Sequence, residues 1–221
     1  KDIANQGRTV IFVSHNMSSI RNLCNKGIVL ENGNVSFIGN STKAISFYLN
    51  KFKKKEVKIK SSIDPNLSIN NTGEAKFKTA FIASTNNRSP VDILSYQEKF
   101  KIFSSVEIIK KIKKVSISIN LLNEYGETVA HAYSANNLKL LDLDIGEYLI
   151  SFESPVILMP GNYGLGLSIY HYYTGSSIDS IEYFYPFKVE KENKNKDKEY
   201  PWATVHGYIE MNNSWKIQKI N

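Results

Sequence analysis

Lys114 to Asn123 reads "KVSISINLLN", with Val115, Ile117, Ile119 and Leu121 alternating against Ser116, Ser118 and Asn120. Strict alternation has the period of a strand that turns one face to a core and the other away, whereas a helix would space its apolar residues three and four apart. The same texture runs from about Lys76 onward. "AKFKTAFIAS" places Phe77, Thr79 and Phe81 on one face, and "EKFKIFSSVEI" places Phe100, Ile102, Ser104 and Val106 together. "ETVAHAYS", "GEYLISFES", "GNYGLGLSIYHYY", "SIEYFYPFKVE" and "ATVHGYIEM" continue the series, with "EYG", "DIG" and "MPGN" at or between breaks. Eight or more short strands without helical stretches between them predict an antiparallel β-sandwich rather than a parallel sheet with crossover helices.

Upstream the pattern is mixed. Thr9 to Val13 in "TVIFVSHNMSSI" is a continuous apolar run, as in a strand covered on both faces, and it leads into His15. Open α/β sheets place ligands at the carboxyl ends of such strands, so the position of His15 suggests chemistry. Ser14 or Asn16 is expected to cap a helix carried by Met17, Ile20, Arg21 and Cys24. "GIVLENGNVSFIG", Gly27 to Gly39, is a hairpin turned by Asn-Gly. "NSTKAISFYL" is a helix capped by Ser41 or Thr42 with Ile45, Tyr48 and Leu49 on one face. The change of texture divides the chain into an α/β unit at 1–49, a lysine-rich linker at 50–62 and a β-sandwich at 63–221.

Composition bounds the function. The 221 residues carry a formal charge of +7 and are 42% apolar, enough for real cores. Much of the positive charge lies in Asn50 to Lys60 and in "KKIKK", Lys110 to Lys114, read as a linker and a turn. Neither run carries a recognisable nucleic-acid motif, and no nucleic acid is expected as a partner. A single cysteine, Cys24, excludes an internal disulfide and fits a packing role on the first helix. No apolar stretch reaches the length of a membrane span. The start on Lys1, inside a helix-like sequence, reads as a piece of something longer.

Gly7 to Gly39, "GRTVIFVSHNMSSIRNLCNKGIVLENGNVSFIG", resembles the end of an ABC transporter nucleotide-binding domain. That resemblance implies that His15 is the H-loop histidine that contacts the nucleotide γ-phosphate, a catalytic role in the full-length protein only. It also implies ATP and magnesium as cofactors of the full-length protein. The chain has no G-x-x-x-x-G-K-[ST] loop, signature sequence or apolar strand ending in Asp-Glu, so no cofactor, resident metal or ATP hydrolysis is expected of this piece. An all-β unit behind such a domain resembles the ATP-binding subunits of O-antigen polysaccharide exporters, the Wzt type. The resemblance implies an immunoglobulin-like sandwich that recognises the polysaccharide. It further implies a transmembrane permease subunit and a second copy of the chain as partners, at the cytoplasmic face of the cell membrane.

Sugar recognition needs flat aromatic faces and nearby amide, hydroxyl and carboxylate groups. In Gly161 to Tyr173 the parity of Tyr163, Leu165, Leu167 and Ile169 is that of a core face. The opposite set, Gly164, Gly166, Ser168, Tyr170 and Tyr172, is the expected carbohydrate surface: a flat end of glycines and serine, with two tyrosines rising at the other end. Trp202 in a polar loop is a further stacking candidate. Tyr183 and Tyr185 share parity with Ile181, Phe187 and Val189 and are expected in the core, and His171 has core-side parity with a structural role. A glycosidase would need two carboxylates across a cleft, and the close pair Asp142 and Asp144 reads instead as a strand-to-turn connection. The charged stretch Glu190 to Pro201 is long enough to let the strand around Thr204 to Met211 swap into a second copy. The rival functions are a basic aromatic domain for single-stranded nucleic acid and a purely structural dimerisation domain.

Overall fold

The structure is a computed structural model that describes residues 9–14, 17–31, 33–53, 61–85, 88–192, 199–211 and 217. Its body is a sandwich of two sheets. One has six strands, β4 (Ile93–Ser95), β12 (Ser177–Glu190), β11 (Gly161–His171), β6 (Ile112–Asn123) and β7 (Thr128–Tyr133) in that order, with β8 (Leu141–Leu143) also on β6. The other has three, β3 (Ala75–Ser84), β5 (Phe100–Ile108) and β9 (Gly146–Glu153). All pairs are antiparallel except β4 with β12, which is parallel.

The core lies between these sheets and uses the faces that alternation marks. Val115, Ile117, Ile119 and Leu121 of β6, Phe100, Ile102 and Val106 of β5, and Tyr163, Leu165, Leu167 and Ile169 of β11 are all buried in one cluster. β3 departs from its pattern. A bulge between Phe77 and Thr79 shifts the register, so Phe77, Ala80 and Ile82 are buried while Thr79 and Phe81 turn outward. Asp179 stitches the two sheets together. Fully buried on β12, its carboxylate accepts from the Phe77 amide of β3 at 2.8 Å and from the Ser68 hydroxyl. The backbone of Ser61 already joins the sandwich, since its carbonyl accepts from the Ala80 amide at 2.8 Å.

The lysines of 110–114 divide between turn and strand. Ile112 is buried in β6, and Lys114 takes a positive φ of 53° within that strand. Asp142 and Asp144 answer them: Lys111 Nζ lies 2.6 Å from Asp144, and the Lys114 amide donates to Asp142 at 2.9 Å. That bond, with the lysine charges nearby, holds the Asp142 carboxyl below the usual carboxylate range. The acidic pair is thereby committed to the β6–β8 connection.

Near the amino end, β1 (Lys26–Glu31) and β2 (Asn34–Asn40) form the expected hairpin, with Gly33 at φ 81° in its turn. Helix α1 (Met17–Leu23) and helix α2 (Ser41–Lys53) pack on one another through Met17 and Ile45. The α2 cap is Asn40, whose Oδ1 accepts from the Thr42 amide at 2.9 Å, rather than Ser41 or Thr42. Cys24 falls just past α1, half-buried, its amide bonded to the Ile20 carbonyl at 2.9 Å. Thr9 to Val13 forms no strand; Ile11 is 87% and Val13 90% exposed. A strand needs a ladder partner, and among the described residues none runs beside this stretch. His15 and Asn16 lie outside the described residues, as do residues 54–60 of the expected linker.

The amino-terminal unit touches the sandwich at the β6–β7 turn. Arg21 Nη2 of α1 donates to Glu127 Oε1 at 2.7 Å, and its guanidinium lies 4.5 Å from the centre of the Tyr125 ring. Tyr125 also packs against Met17 and Ile45.

Candidate functional site

The outer face of the six-stranded sheet is built by residues whose neighbours on each strand point into the core. On β11 these are Asn162, Gly164, Gly166, Ser168 and Tyr170. Gly166 pairs with Asn120 of β6, which pairs with His131 of β7; Ser168 pairs with Ser118, which pairs with Tyr133. On the other side Ser168 pairs with Ser180 of β12. The result is a polar floor of amide and hydroxyl groups. Ser168 Oγ and Ser180 Oγ lie 2.8 Å apart, and His131 Nδ1 is 2.6 Å from Asn120 Oδ1.

Aromatic rings stand on both sides of this floor. His131 and Tyr133 of β7 lie with ring centres 5.7 Å apart. On β12 the wall is Tyr183, although its parity with Ile181 and Phe187 in the sequence predicts a core position. The β11–β12 pairing slips between Tyr163 and Leu165 and again between Leu165 and Leu167, so Leu165 faces Phe184 while Leu167 faces Ile181. Each bulge inserts one residue and reverses the alternation. Tyr183 is thereby swung onto the outer face, where its ring covers Gly164. Burial, and then the charge of Glu124, push the Tyr183 phenol up to about 12. Tyr185 does enter the core. It takes a positive φ of 52° in the bulged strand, and its hydroxyl donates to the Val91 carbonyl at 2.9 Å.

The structure therefore keeps Gly164, Gly166, Ser168 and Tyr170 on one face but changes what they do. Gly164 and Gly166 are buried beneath neighbours rather than open: a Cβ on Gly166 would lie 3.2 Å from the Glu182 carbonyl oxygen. Tyr170 is half-buried opposite Ser116 and Ser177. Tyr172 lies past the end of β11 in a turn, 42% exposed, edge-on to Tyr173 at 5.6 Å. His171 is not in the core but half-exposed, with Nε2 3.9 Å from Glu74 Oε2. Trp202 stands apart from this face on the loop after Pro201, 61% exposed, edge-on to the buried Tyr200 at 5.5 Å. With Ala203, Thr204 and His206 it lines a shallow, open hollow.

Asn120, His131, Tyr133 and Ser118 belong to this face without standing among the expected site residues, although "ETVAHAYS" and "KVSISINLLN" carry the signal: once the apolar parity is assigned to the core, the intervening residues are the outer surface. Tyr183 had no such signal, because nothing in its local sequence marks the bulges. Among the described residues no group of three or more His, Cys, Asp or Glu side chains could hold a metal ion, and no helix is long and apolar enough to cross a membrane. His15, the expected γ-phosphate contact, lies outside the described residues.

The final strand is short. Only Ile209–Glu210, β13, is extended, paired with β10 (Ile157–Leu158) of the same chain rather than the full Thr204 to Met211.

Comparison with known proteins bears on this arrangement. The family model described as the Wzt C-terminal domain matches residues 66–210, more than half of the chain. No curated protein matches. A solved structure titled "Crystal structure of the C-terminal domain of wzt" superposes with a TM-score of 0.56 at 16% identity, covering 72% of this chain and 93% of that one. At that identity the likeness speaks for the fold, a β-sandwich, while the family match covers the strands that build the outer face. The chain therefore belongs to the Wzt C-terminal domain family, the carbohydrate-binding domains of ABC exporters.

Proposed function

We propose that this chain recognises an exported, O-antigen-like polysaccharide on the outer face of its six-stranded sheet. The observation that carries the reading is the polar floor between aromatic walls: Asn120, Ser168 and Ser180 on three neighbouring strands, with Ser118 buried beneath them and with His131 and Tyr133 on one side and Tyr183 on the other. Ring hydroxyls of a sugar are met by amides and hydroxyls, and its apolar face by an aromatic ring. Tyr170 continues this face at the far end of β11, and Tyr172 follows in the exposed turn just past the strand.

The setting proposed for this domain is the ATPase subunit of a polysaccharide exporter. Glycan binding here is coupled to ATP-driven export through a permease subunit, at the cytoplasmic face of the cell membrane, with two copies of the chain working together. ATP and magnesium would be held by phosphate-binding motifs that this sequence does not contain, with His15 at the γ-phosphate. The contact between Arg21 and the β6–β7 turn supports communication between the two parts of the chain.

The test is calorimetric titration of the polysaccharide from the encoding strain into the chain. Asn120→Ala, and separately the double variant Tyr170→Ala with Tyr172→Ala, are expected to stay folded and to lose affinity, by roughly 1–3 kcal/mol for each aromatic that stacks on sugar. Undiminished affinity in both would place the site elsewhere. Binding to single-stranded nucleic acid that weakens steeply with salt would instead support the rival reading.

A further inference from the structure

Beyond the sheet face, a cleft of about 330 Å³ opens between the start of β11 and the loop ahead of β13, lined by Glu124, Asn162, Tyr163, Val205, Gly207 and Tyr208. That volume is at the lower end of small-molecule sites, the size for a compact polar ligand. We infer that this cleft is a second sugar subsite, in line with the sheet face, so that one glycan chain lies along β11 and engages both.

The inference rests on the reading of the sheet face as the glycan site, and three observations carry it further. The first is that Tyr208 is held in place. Its hydroxyl oxygen accepts from Asn123 Nδ2 at 3.0 Å, and its carbonyl accepts from the Met159 amide at 2.9 Å and lies 3.2 Å from the Tyr163 hydroxyl, whose proton goes to the Met159 carbonyl at 2.7 Å. Asn123 is itself fully buried, and its Oδ1 accepts from the Tyr125 and Glu127 amides at 2.9 Å each. Yet Tyr208 is 42% exposed. An aromatic ring anchored from behind and open in front is pre-organised for stacking, which lowers the ordering cost of binding. Because the Tyr208 oxygen accepts from Asn123, its proton remains to be donated to a ligand.

The second is the polar pair at the rim. Asn162 Nδ2 donates to Glu124 Oε2 at 3.2 Å, which sets a carboxylate and an amide side by side. Such a pair matches two neighbouring ring hydroxyls, one donating to the carboxylate and one accepting from the amide. Gly207, at φ 79°, would carry a Cβ into space with no atom within 4 Å, so the backbone there leaves the cleft open to a ligand.

The third is alignment. Asn162 shares the outward parity of Gly164, Gly166 and Ser168, so the cleft and the polar floor lie along one strand. From Ser168 to Asn162 the strand advances roughly 20 Å, at about 3.3 Å per residue. Tyr183, lying over Gly164, stands between the two. A glycan of several sugars would reach from one to the other, and a short one would not.

The experiment uses polysaccharide released by mild acid from the lipopolysaccharide of the encoding strain, fractionated into short and long oligosaccharides and titrated calorimetrically. Affinity is expected to rise with length in the unmodified chain. Tyr208→Ala and Asn162→Ala should each lose most of that rise, about tenfold for the longer fraction with Tyr208→Ala, while binding the shorter fraction as before; Tyr208→Phe, which keeps the ring and loses the hydroxyl, should lose a smaller part of it. Asn162 is exposed, so its variant reports even if Tyr208→Ala does not fold, as melting temperature will show. Length dependence unchanged in Asn162→Ala and in Tyr208→Phe and Tyr208→Ala overturns the subsite and leaves the sheet-face reading standing. Loss of binding to short and long fractions alike in Asn162→Ala overturns the two-subsite arrangement and moves the whole site to the cleft. Absence of binding at any length by the unmodified chain overturns both readings.

Discussion

The ring of Tyr183 occupies the space in which a side chain on Gly164 would begin: a Cβ there would lie 2.5 Å from Tyr183 Cε2 and 2.6 Å from Cζ. Glycine at 164 is thus the condition for an aromatic wall on β12 to fold down over β11. Gly164→Ala is expected to lever the ring away and destabilise the sandwich by about 1–2 kcal/mol, within the range for overpacking. Pairing it with Tyr183→Ala should recover part of that loss, since the two changes share one contact. Urea denaturation of both single variants and the double variant measures this, and simple additivity would show that the ring is not what Gly164 accommodates.

The phenol of Tyr183 supplies a pH dependence with a definite sign. Its folded pKa, about 12, lies above the ordinary value of 10.0 because burial disfavours the phenolate. The stabilisation is therefore fully present below pH 10 and is lost as pH rises from there through about 12. At about 1.4 kcal/mol per unit the loss is at most about 3 kcal/mol. Tyr183→Phe should flatten this part of the alkaline stability profile, with burial of Tyr163 and Tyr185 accounting for what remains, as both phenols are also raised by burial.

Asp179 is expected to be the most sensitive polar position in the core. It is fully buried, and it serves the Phe77 amide at 2.8 Å as well as the Ser68 hydroxyl. Asp179→Ala leaves a buried amide without an acceptor and should cost roughly 1–3 kcal/mol, read by chemical denaturation. Asp179→Asn keeps an acceptor and should cost less. If the alanine variant were as stable as the parent, Asp179 would not be the stitch between the sheets.

Arg21 and Glu127 are expected to hold α1 against the β6–β7 turn. The pair is only partly exposed, at 32% and 26%, and Asn123 Nδ2 fixes the second Glu127 oxygen at 2.6 Å. A double-mutant cycle with Arg21→Ala and Glu127→Ala should give a coupling of about 0.5–1 kcal/mol. In either single variant the amides of α1 should exchange with deuterium faster while those of β6 stay protected. Unchanged exchange across α1 would show that the helix is held by its apolar contacts alone.

A chain beginning at Ser61 is expected to fold as a β protein by circular dichroism, because the core cluster is drawn from Ile63 onward. Lys1 to Leu49 alone should not unfold cooperatively. Its hairpin leaves Ile28, Leu30, Val35 and Ile38 each more than half exposed, from 55% for Val35 to 65% for Ile38, too little burial to offset chain entropy.

Local sequence was enough to determine the strands and most of the core. Alternation in β5, β6 and β11 assigns Ile102, Ile119 and Leu167 to the inside, because side-chain direction along an uninterrupted strand repeats every two residues. The turn at Gly33 between β1 and β2 is equally local. Tertiary structure decided what alternation cannot carry through an inserted residue. Phe81 in β3 and Tyr183 in β12 left their expected faces because bulges reversed the parity, and a bulge is a property of two paired strands rather than of either one. Thr9 to Val13 shows the same dependence from the other side: five residues with every local preference for a strand stay exposed where no described neighbour offers a ladder. The outer face, with Asn120, His131, Tyr133 and Tyr183 drawn from three strands, exists only through register, and so the chemistry of the surface could be read from composition and parity while its boundaries could not.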